Sequence, residues 1–457
     1  MRLPLDVALR ATGATLQDGD SPPATLTIRT DTRTLAPGDT FLALSGERYD
    51  GHDFAEEAVR RGAAMLVLQQ RDQRGFGVPT MLVGDTKAAY MALAGAAREL
   101  FAGRVVAITG SAGKTTTKAF LTQILAAHYG DRVLAAPGNE NNEIGVSKLL
   151  LSSANARHDI IVVEMGARHY GDVAELVEIA RPQIGILTNV GEAHLEIMGS
   201  RERLEATKWA LFSGDARPVL NAADDLSRRR APSLAQTPHW FAAVLPADAA
   251  GLPILTTFDG ERRILHRDGS RSVVYDVDLR IPGAYNRANL AAAVAGSLEL
   301  GLRLDAIVAQ IPFLELPEGR YHRIQLAGGV ALIYDAYNAN ASGMMAALDT
   351  FAAESASRRI AVLASMAELG SESQELHERV GEHAARRVDL IVVEGEFAQA
   401  LALGAQRGGL SAAQIVTVES NAQAARWLRN HVRQDDVVLL KGSRKYKLEE
   451  IVEELCR

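Results

Sequence analysis

The sequence predicts an α/β protein of three domains: a small α/β domain, a central P-loop-type parallel sheet, and a C-terminal doubly wound, Rossmann-like domain. Three observations carry this reading. The 457 residues are too many for one ordinary domain. From Gly103 onward, short β-branched apolar runs alternate with helix-forming stretches, the pattern of a parallel sheet wrapped by helices. The stretch Ile311 to Gly319, with Pro312, Pro317 and Gly319, reads as a linker after which the same rhythm restarts. Boundaries are therefore expected at 1–102, 103–316 and 317–457.

Composition narrows the class. Apolar residues make up 47% and charged residues 23%, as in soluble globular proteins. The formal net charge of -7 gives no general nucleic-acid footprint. Cys456 is the single cysteine, which excludes a disulfide framework, a cysteine-rich metal site and an interior thiol nucleophile. Met1 to Arg10 lacks the apolar core of a signal peptide, and no stretch has the apolar length of a membrane span. A reducing cytoplasm is the expected setting.

In the first domain, Thr25 to Thr30 alternates as a strand, and Asp31-Thr32-Arg33 leads into the turn Ala36-Pro37-Gly38-Asp39. Thr40 to Leu44 is a second strand. The polar, glycine-bearing loop from Ser45 to Phe54 is either a ligand edge or a solvated connection. A helix over 55–62, strands over 64–68 and 80–83, and a helix over 86–101 complete the unit.

The central domain opens on Val105 to Thr109, a buried strand, followed by Gly110-Ser111-Ala112-Gly113 and then Lys114-Thr115-Thr116-Thr117-Lys118 at the start of a helix. Chemically this is a phosphate cradle. Glycines let backbone N–H groups approach an anion, and the helix N-terminus adds its positive end. Lys114 supplies a mobile charge and Thr115 a hydroxyl for Mg²⁺. The spacing between Gly110 and Gly113 is shorter than in the strict Walker pattern, and an ordinary glycine turn is the bland alternative. Further strands are expected over 160–163, 184–188 and 219–221, with helices over 172–180, 201–212 and 286–300. The region 238–282 reads as strand-rich and antiparallel. In the third domain, strands over 331–335, 359–363, 390–393 and 437–440 alternate with helices over 343–355, 372–386 and 422–430, without a second phosphate loop.

Ligands collect at the carboxyl ends of parallel strands. Thr115, Glu164 and His194 fall at or beyond such ends, and Lys208 lies on the next helix. Glu164 suits Mg²⁺, because hard cations take carboxylate and phosphate oxygen together. Taken alone, Glu164 reads equally as a strand cap and His194 as a structural histidine. Gly138 to Gly145 is a second polar loop, poised near the phosphates if its amides face them.

These motifs resemble the Mur ligases, the amide-forming enzymes of peptidoglycan assembly. Thr109 to Lys118 is similar to their ATP loop. Asp31-Thr32-Arg33, Phe41 to Gly46 and Asp50 to Phe54 resemble their nucleotide-sugar-binding domain. Asn139 to Gly145, Tyr334 to Asn340 and Lys441-Gly442-Ser443-Arg444 resemble the branch that joins D-alanyl-D-alanine to UDP-N-acetylmuramoyl-tripeptide. The Asp-Asn-Pro-Arg motif of the sibling that adds the third residue is absent.

The resemblance implies an ATP-dependent peptide ligase working through an acyl phosphate. Gly110, Ser111, Ala112, Gly113, Lys114, Thr115 and Thr116 would hold the ATP phosphates, and Asn286 and Asn289 the adenine. Arg320 and Asp335 would close over ATP. Thr115 and Glu164 would bind one Mg²⁺, while His194 and a carbamylated Lys208 would serve a second. Lys114, Glu164, His194 and Lys208 are thereby the implied catalytic set. Asp31, Thr32, Arg33, Ser45, Gly46, Asp50, His52, Asn141 and Asn142 would bind the nucleotide-sugar peptide, and Asn338 and Asn340 the dipeptide. A monomer is implied.

The chain departs from the family pattern at Ala364-Ser365, where Gly-Asp is usual. It also departs at Tyr285 (usually histidine), at Ser147 (usually proline), and at Trp209-Ala210 after Lys208. Two alternatives stay open: a Mur-type ligase acting on another carboxylate or amine, and a nucleotide-gated binding protein without catalysis. The third residue of the acceptor peptide, diaminopimelate or lysine, is also open.

Overall fold

The computed structural model describes residues 1–17, 21–46, 49–70, 75–153, 155, 157–191, 195–248 and 251–456. Among the described residues, the strands assemble into sheets of five, nine and six, with one additional two-stranded pair. Among the described residues, no helix is long and apolar enough to cross a membrane.

The first sheet runs in the order Thr15–Gln17, Thr80–Val83, Met65–Gln69, Thr40–Leu42, Ile28–Arg29. The strand expected over Thr25 to Thr30 is two pieces. Thr25–Leu26 pairs antiparallel with Leu3–Pro4, whereas Ile28–Arg29 pairs parallel with Thr40–Leu42, so the chain changes partner at Thr27. The N-terminal segment claims the first piece by burying Leu3 and Leu26 together under helix Leu5–Thr12, a contact alternation alone does not reveal.

The central sheet places Arg104–Thr109 between Ile160–Glu164 and Ile184–Leu187, all parallel. From Arg104–Thr109 the chain crosses to the edge strand Val133–Ala135, returns to Ile160–Glu164, and then jumps over to Ile184–Leu187. The reversal opens a crevice at the carboxyl end of Arg104–Thr109. Both faces of that strand are buried. Val105 and Ala107 meet helices Thr86–Leu100, Glu143–Ser152 and Asp172–Ala180, while Val106 and Ile108 meet Lys114–Tyr129 and Ala284–Glu299. Helix Thr86–Leu100 thus shares one apolar core with the central sheet. Arg98, 7% exposed, ties the two together by donating to Ala180 O (2.8 Å) and Arg181 O (3.1 Å), while a third bond to Phe101 O (3.2 Å) fixes it within the first domain.

The antiparallel reading of 238–282 is only half right. His239–Phe241 and Ile254–Phe258 extend the sheet in parallel, because the connection 242–253 is long enough for a crossover. From Ile254–Phe258 onward the pairing is antiparallel, first with Arg263–Asp268 and then from Arg263–Asp268 to Arg271–Asp276, the last hairpin turning through Gly269 at φ 57°. The helix expected over 201–212 ends at Trp209 and tightens into a 3-10 turn.

The last sheet has the order His322–Gln325, Ala331–Tyr334, Asp436–Lys441, Arg358–Ala364, Leu390–Glu394, Ile415–Val418, parallel except for its first strand. Helix Ala398–Arg407, strand Ile415–Val418 and helix Glu449–Cys456 are additions to the expected set. Between this unit and the central one, Arg168 Nη2 meets Glu368 Oε1 at 3.3 Å.

Candidate active site

The loop Gly110 to Gly113 carries φ of 147° at Gly110 and 82° at Gly113. A Cβ on Gly110 would lie 1.9 Å from Thr188 Oγ1, and one on Gly113 would lie 2.2 Å from Asn289 Oδ1. Close approach and backbone conformation therefore both require glycine here. The neighbouring strand end straps the loop down. Ser111 N–H donates to Asn189 O (2.9 Å), Ala112 N–H to Asn189 Oδ1 (3.0 Å), and Gly191 N–H to Ser111 Oγ (2.9 Å). Thr188 Oγ1 (2.6 Å) and Asn189 Nδ2 (3.0 Å) both donate to Ala112 O. Sequence reasoning passed over Thr188 and Asn189. The signal was two polar residues directly after a buried strand.

Lys114 Nζ folds back onto Gly110 O at 2.7 Å. Burial holds its ammonium below the ordinary lysine range, opposed by Glu164 and reinforced by Arg320. Glu164 is 2% exposed. Its Oε1 accepts from Thr115 Oγ1 (3.3 Å) and Asn141 Nδ2 (2.9 Å). Its Oε2 has no hydrogen-bond donor among the described residues and stands 3.4 Å from the Lys118 ammonium as an ion pair. Lys118, also unassigned from sequence, donates to Ala136 O (3.0 Å) and Gly138 O (2.5 Å), tying the 136–142 loop to this carboxylate. That orphaned, buried oxygen beside a hydroxyl is a donor set for a hard cation. Among the described residues, no cluster of three His, Cys, Asp or Glu side chains adds to it.

Lys208 is 1% exposed and has no ion-pair partner among the described residues. Burial depresses its pKa well below the usual value, Lys114 adds repulsion, and Asp172 and Glu164 oppose it. His194 lies outside the described residues.

An open cleft of ≈ 1970 Å³ runs between the central and C-terminal units. Ser111, Ala112, Gly113, Lys114, Thr115, Asn141, Asn142 and Glu164 line one side, and Arg320, Asn338 and Asn340 the other. Gly110, Thr116, Asn286, Asn289, Asp335 and Lys208 are not in its wall. Asn286 is 1% exposed; its Nδ2 donates to Pro282 O (2.9 Å), while its Oδ1 has no donor among the described residues. The Arg320 guanidinium stacks 4.6 Å from the Tyr337 ring centroid. Asp335 forms a buried ion pair with Lys441 (3.1 Å), whose amine also donates to Asp335 O (2.9 Å) and Asn338 O (3.1 Å). Asn142 Oδ1 caps helix Glu143–Ser152 through Gly145 N–H (3.0 Å), and Asn340 Oδ1 caps Ala341–Phe351 through Gly343 N–H (2.8 Å). The loop expected from Gly138 to Gly145 therefore ends as the first turn of a helix.

The first-domain residues expected to bind the nucleotide-sugar peptide are not in the wall of this cleft. Arg33 binds Asp31 through Nε (2.9 Å) and Nη2 (2.7 Å), which pulls Asp31 down to about 2. Asp50 Oδ1 accepts from Ser45 Oγ (2.9 Å) and pairs with His52 Nδ1 (2.6 Å), and His52 Nε2 accepts from Gln69 N–H (3.0 Å). The His52 backbone N–H, then its ring, lower Asp50 to about 2. A Cβ on Gly51 would fall 2.6 Å from Leu44 O. Gly46 N–H closes the same loop on Tyr49 O (2.9 Å), and Thr32 is buried in the short 3-10 turn that Asp31 caps.

The sequence departures have local explanations in two cases. The Ser365 hydroxyl donates to Glu394 O (3.2 Å) and accepts from Phe397 N–H (2.9 Å), stitching two strand ends behind the cleft. Tyr285 packs against the C-terminal core. Nothing in the structure explains Ser147, whose buried hydroxyl has no partner among the described residues.

Comparison with known proteins agrees with this arrangement. Residues 27–94 match the Mur ligase family catalytic domain, 108–296 the Mur ligase middle domain, and 319–444 the Mur ligase glutamate ligase domain. The chain is 36% identical to the UDP-N-acetylmuramoyl-tripeptide–D-alanyl-D-alanine ligase of Escherichia coli, over 94% of this chain and 93% of that one. It is 34% identical to the Synechocystis enzyme of the same name, covering 94% and 91%. The crystal structure of MurF from Acinetobacter baumannii superposes with a TM-score of 0.86 at 29% identity, covering 100% of this chain and 99% of that one. MurF from Thermotoga maritima in complex with ADP gives 0.79 at 27% identity, covering 94% and 96%. The chain belongs to the Mur ligase family, in the branch of the UDP-N-acetylmuramoyl-tripeptide–D-alanyl-D-alanine ligases.

Proposed function

We propose that the chain is an ATP-dependent ligase that joins D-alanyl-D-alanine to UDP-N-acetylmuramoyl-tripeptide in peptidoglycan precursor synthesis. The observation that carries this reading is the glycine loop with Lys114, set against a buried Glu164 that has one oxygen to spare. A carboxylate does not acylate amines in water, so the peptide's terminal carboxylate first attacks the γ-phosphorus of ATP, and ADP leaves. The dipeptide amine then attacks the acyl carbon, loses a proton, and phosphate departs. Lys114 and the loop amides stabilise charge spreading over the transferring phosphoryl group. Arg320 from the opposite wall does the same, and Asp335 holds Lys441 beside Asn338.

Thr115 and Glu164 would hold Mg²⁺, which supplies charge neutralisation between the phosphates. His194 and Lys208 would serve a second ion. A buried amine with a depressed pKa is nucleophilic enough to take up CO₂ with loss of a proton, and this supports carbamylation of Lys208. Asn286, with its unpartnered oxygen, and Asn289 bind adenine. Asp31, Thr32, Arg33, Ser45, Gly46, Asp50 and His52 shape the nucleotide-sugar end. Asn141 and Asn142 lie along the peptide, and Asn338 and Asn340 beside the dipeptide. Working units of 1–102, 103–316 and 317–457, a monomeric state and a cytoplasmic location belong to the same proposal.

The test is phosphate release from ATP and Mg²⁺ with UDP-N-acetylmuramoyl-tripeptide, with and without D-alanyl-D-alanine. Release that requires the dipeptide is expected; release with a different amine only, or none, overturns the assignment.

A further inference from the structure

Both oxygens of Glu164 are tied to one loop. Asn141 Nδ2 donates to Oε1 (2.9 Å), while the Lys118 ammonium faces the spare Oε2 at 3.4 Å. The Lys118 side chain is 7% exposed and that of Glu164 2%, so water compensates neither charge. The same ammonium donates to Ala136 O (3.0 Å) and Gly138 O (2.5 Å). Gly166 N–H donates to Asn141 O (2.8 Å), so residues 136–141 and the end of strand Ile160–Glu164 form a closed circuit through Lys118. Four residues earlier on the same helix face, Lys114 folds onto Gly110 O instead. One lysine therefore serves the phosphate loop and the other the 136–142 loop, and both feel the Glu164 carboxylate.

We infer that Lys118 is a positioning residue with two opposed effects: it occupies the spare oxygen of Glu164 as a resident counter-ion, and it holds the loop carrying Asn141 and Asn142 in place for the acceptor peptide. The inference rests on the peptide-ligase reading above. A cation arriving at Glu164 Oε2 shares that oxygen with an ammonium 3.4 Å away, and like charges withdrawn from water repel strongly. Lys118 thus weakens the hold of Glu164 on a metal. Without Lys118, a buried carboxylate stripped of its nearest counter-ion has more to gain from the metal. An ammonium relieved of part of its carboxylate turns its donors more fully to Ala136 O and Gly138 O. Metal and acceptor loop are then coupled through one side chain, and by reciprocity each ligand alters the affinity of the other. A merely structural lysine predicts something else: its loss loosens the site, and every ligand binds worse.

Lys118→Met keeps an apolar stem and removes the charge and its donors. Calorimetry with a non-hydrolysable ATP analogue, in Mg²⁺ and in EDTA, gives the factor by which metal strengthens nucleotide binding. In Lys118→Met that factor is expected to rise about 10-fold over the unmodified chain, while KM for UDP-N-acetylmuramoyl-tripeptide also rises about 10-fold. Lys118→Arg, which restores charge and donors, should return both toward the unmodified values. A metal factor that holds or falls in Lys118→Met, or a KM that does not move, would overturn the inference. If the unmodified chain shows no dipeptide-dependent phosphate release, the ligase reading itself has failed. The metal factor is read without turnover and still judges Lys118, so the two failures are separable. Should Lys118→Met not fold, Lys118→Gln decides by the same two readings.

Discussion

Glu394→Gln tests whether a buried carboxyl outside the cleft limits stability. Glu394 ends strand Leu390–Glu394, is 6% exposed, and its Oε2 has no partner among the described residues. Burial, and then the Glu450 carboxylate, push it up to about 7 from an ordinary 4.5. Asn421 lies alongside, donating to Glu450 Oε2 at 2.9 Å while its own Oδ1 is unpartnered. Between pH 4.5 and about 7 the folded chain holds a proton that the unfolded chain has released. Stability therefore falls as pH rises through that window and stays low above it. Discounted for solvent at the Glu450 side, the cost is about 2 kcal/mol at pH 8. A glutamine keeps the volume, carries no charge, and its amide is a donor for neighbouring acceptors. Glu394→Gln is thus expected to melt about 5 °C above the unmodified chain at pH 8 and level with it near pH 4.5. Melting curves followed by tryptophan fluorescence across this range are the assay. Parallel pH profiles for the two proteins would refute the reasoning.

Three further outcomes follow from the site. Gly113→Ala drives a methyl into Asn289 Oδ1 at a positive φ, so nucleotide binding measured by calorimetry should fall at least 100-fold, and unchanged affinity would contradict the close-approach account. Lys208→Met should lose activity that bicarbonate cannot restore, while the unmodified chain incubated with ¹³C-bicarbonate should show a carbamate resonance; a missing resonance together with an active variant counts against carbamylation. Asp335→Asn leaves Lys441 buried without its counter-ion and should cost about 3–5 kcal/mol. That penalty should shrink as pH rises, because burial already lowers the Lys441 pKa and a neutral amine needs no carboxylate; a pH-independent loss in urea unfolding would exclude this cause.

The parts of this molecule legible in the sequence are those governed by short-range rules. Val105 to Lys118 announces itself because a β-branched run, two obligatory glycines and a lysine-threonine helix start have to be contiguous to cradle an anion. Elements set by distant partners were not legible. The break at Thr27 depends on Leu3 reaching Leu26, and the parallel pairing of His239–Phe241 with Ile254–Phe258 depends on the path of the intervening chain. The same limit holds in the site. Glu164 was recognisable at the end of a strand, but Lys118 sits in the interior of a helix pattern, and only the fold brings it to that carboxylate. Ser365 stands in the sequence only as a departure from a family pattern; its two hydrogen bonds make it a local brace.

The two junctions of the central unit differ in kind. Arg98 and a continuous apolar core join it to the first domain, and separating them would strip two hydrogen bonds from a buried guanidinium. On the other side, Tyr285 packs against the C-terminal core, and the Arg168–Glu368 pair, 69% and 31% exposed, adds at most about 1 kcal/mol, or about fivefold in population. Mechanically the first junction is a weld, and the second an apolar contact fitted with a salt-sensitive latch. Ionic strength then acts selectively: added salt weakens the latch and leaves the weld untouched. Small-angle scattering between low and high salt should register motion of residues 317–457 against a body that otherwise keeps its shape.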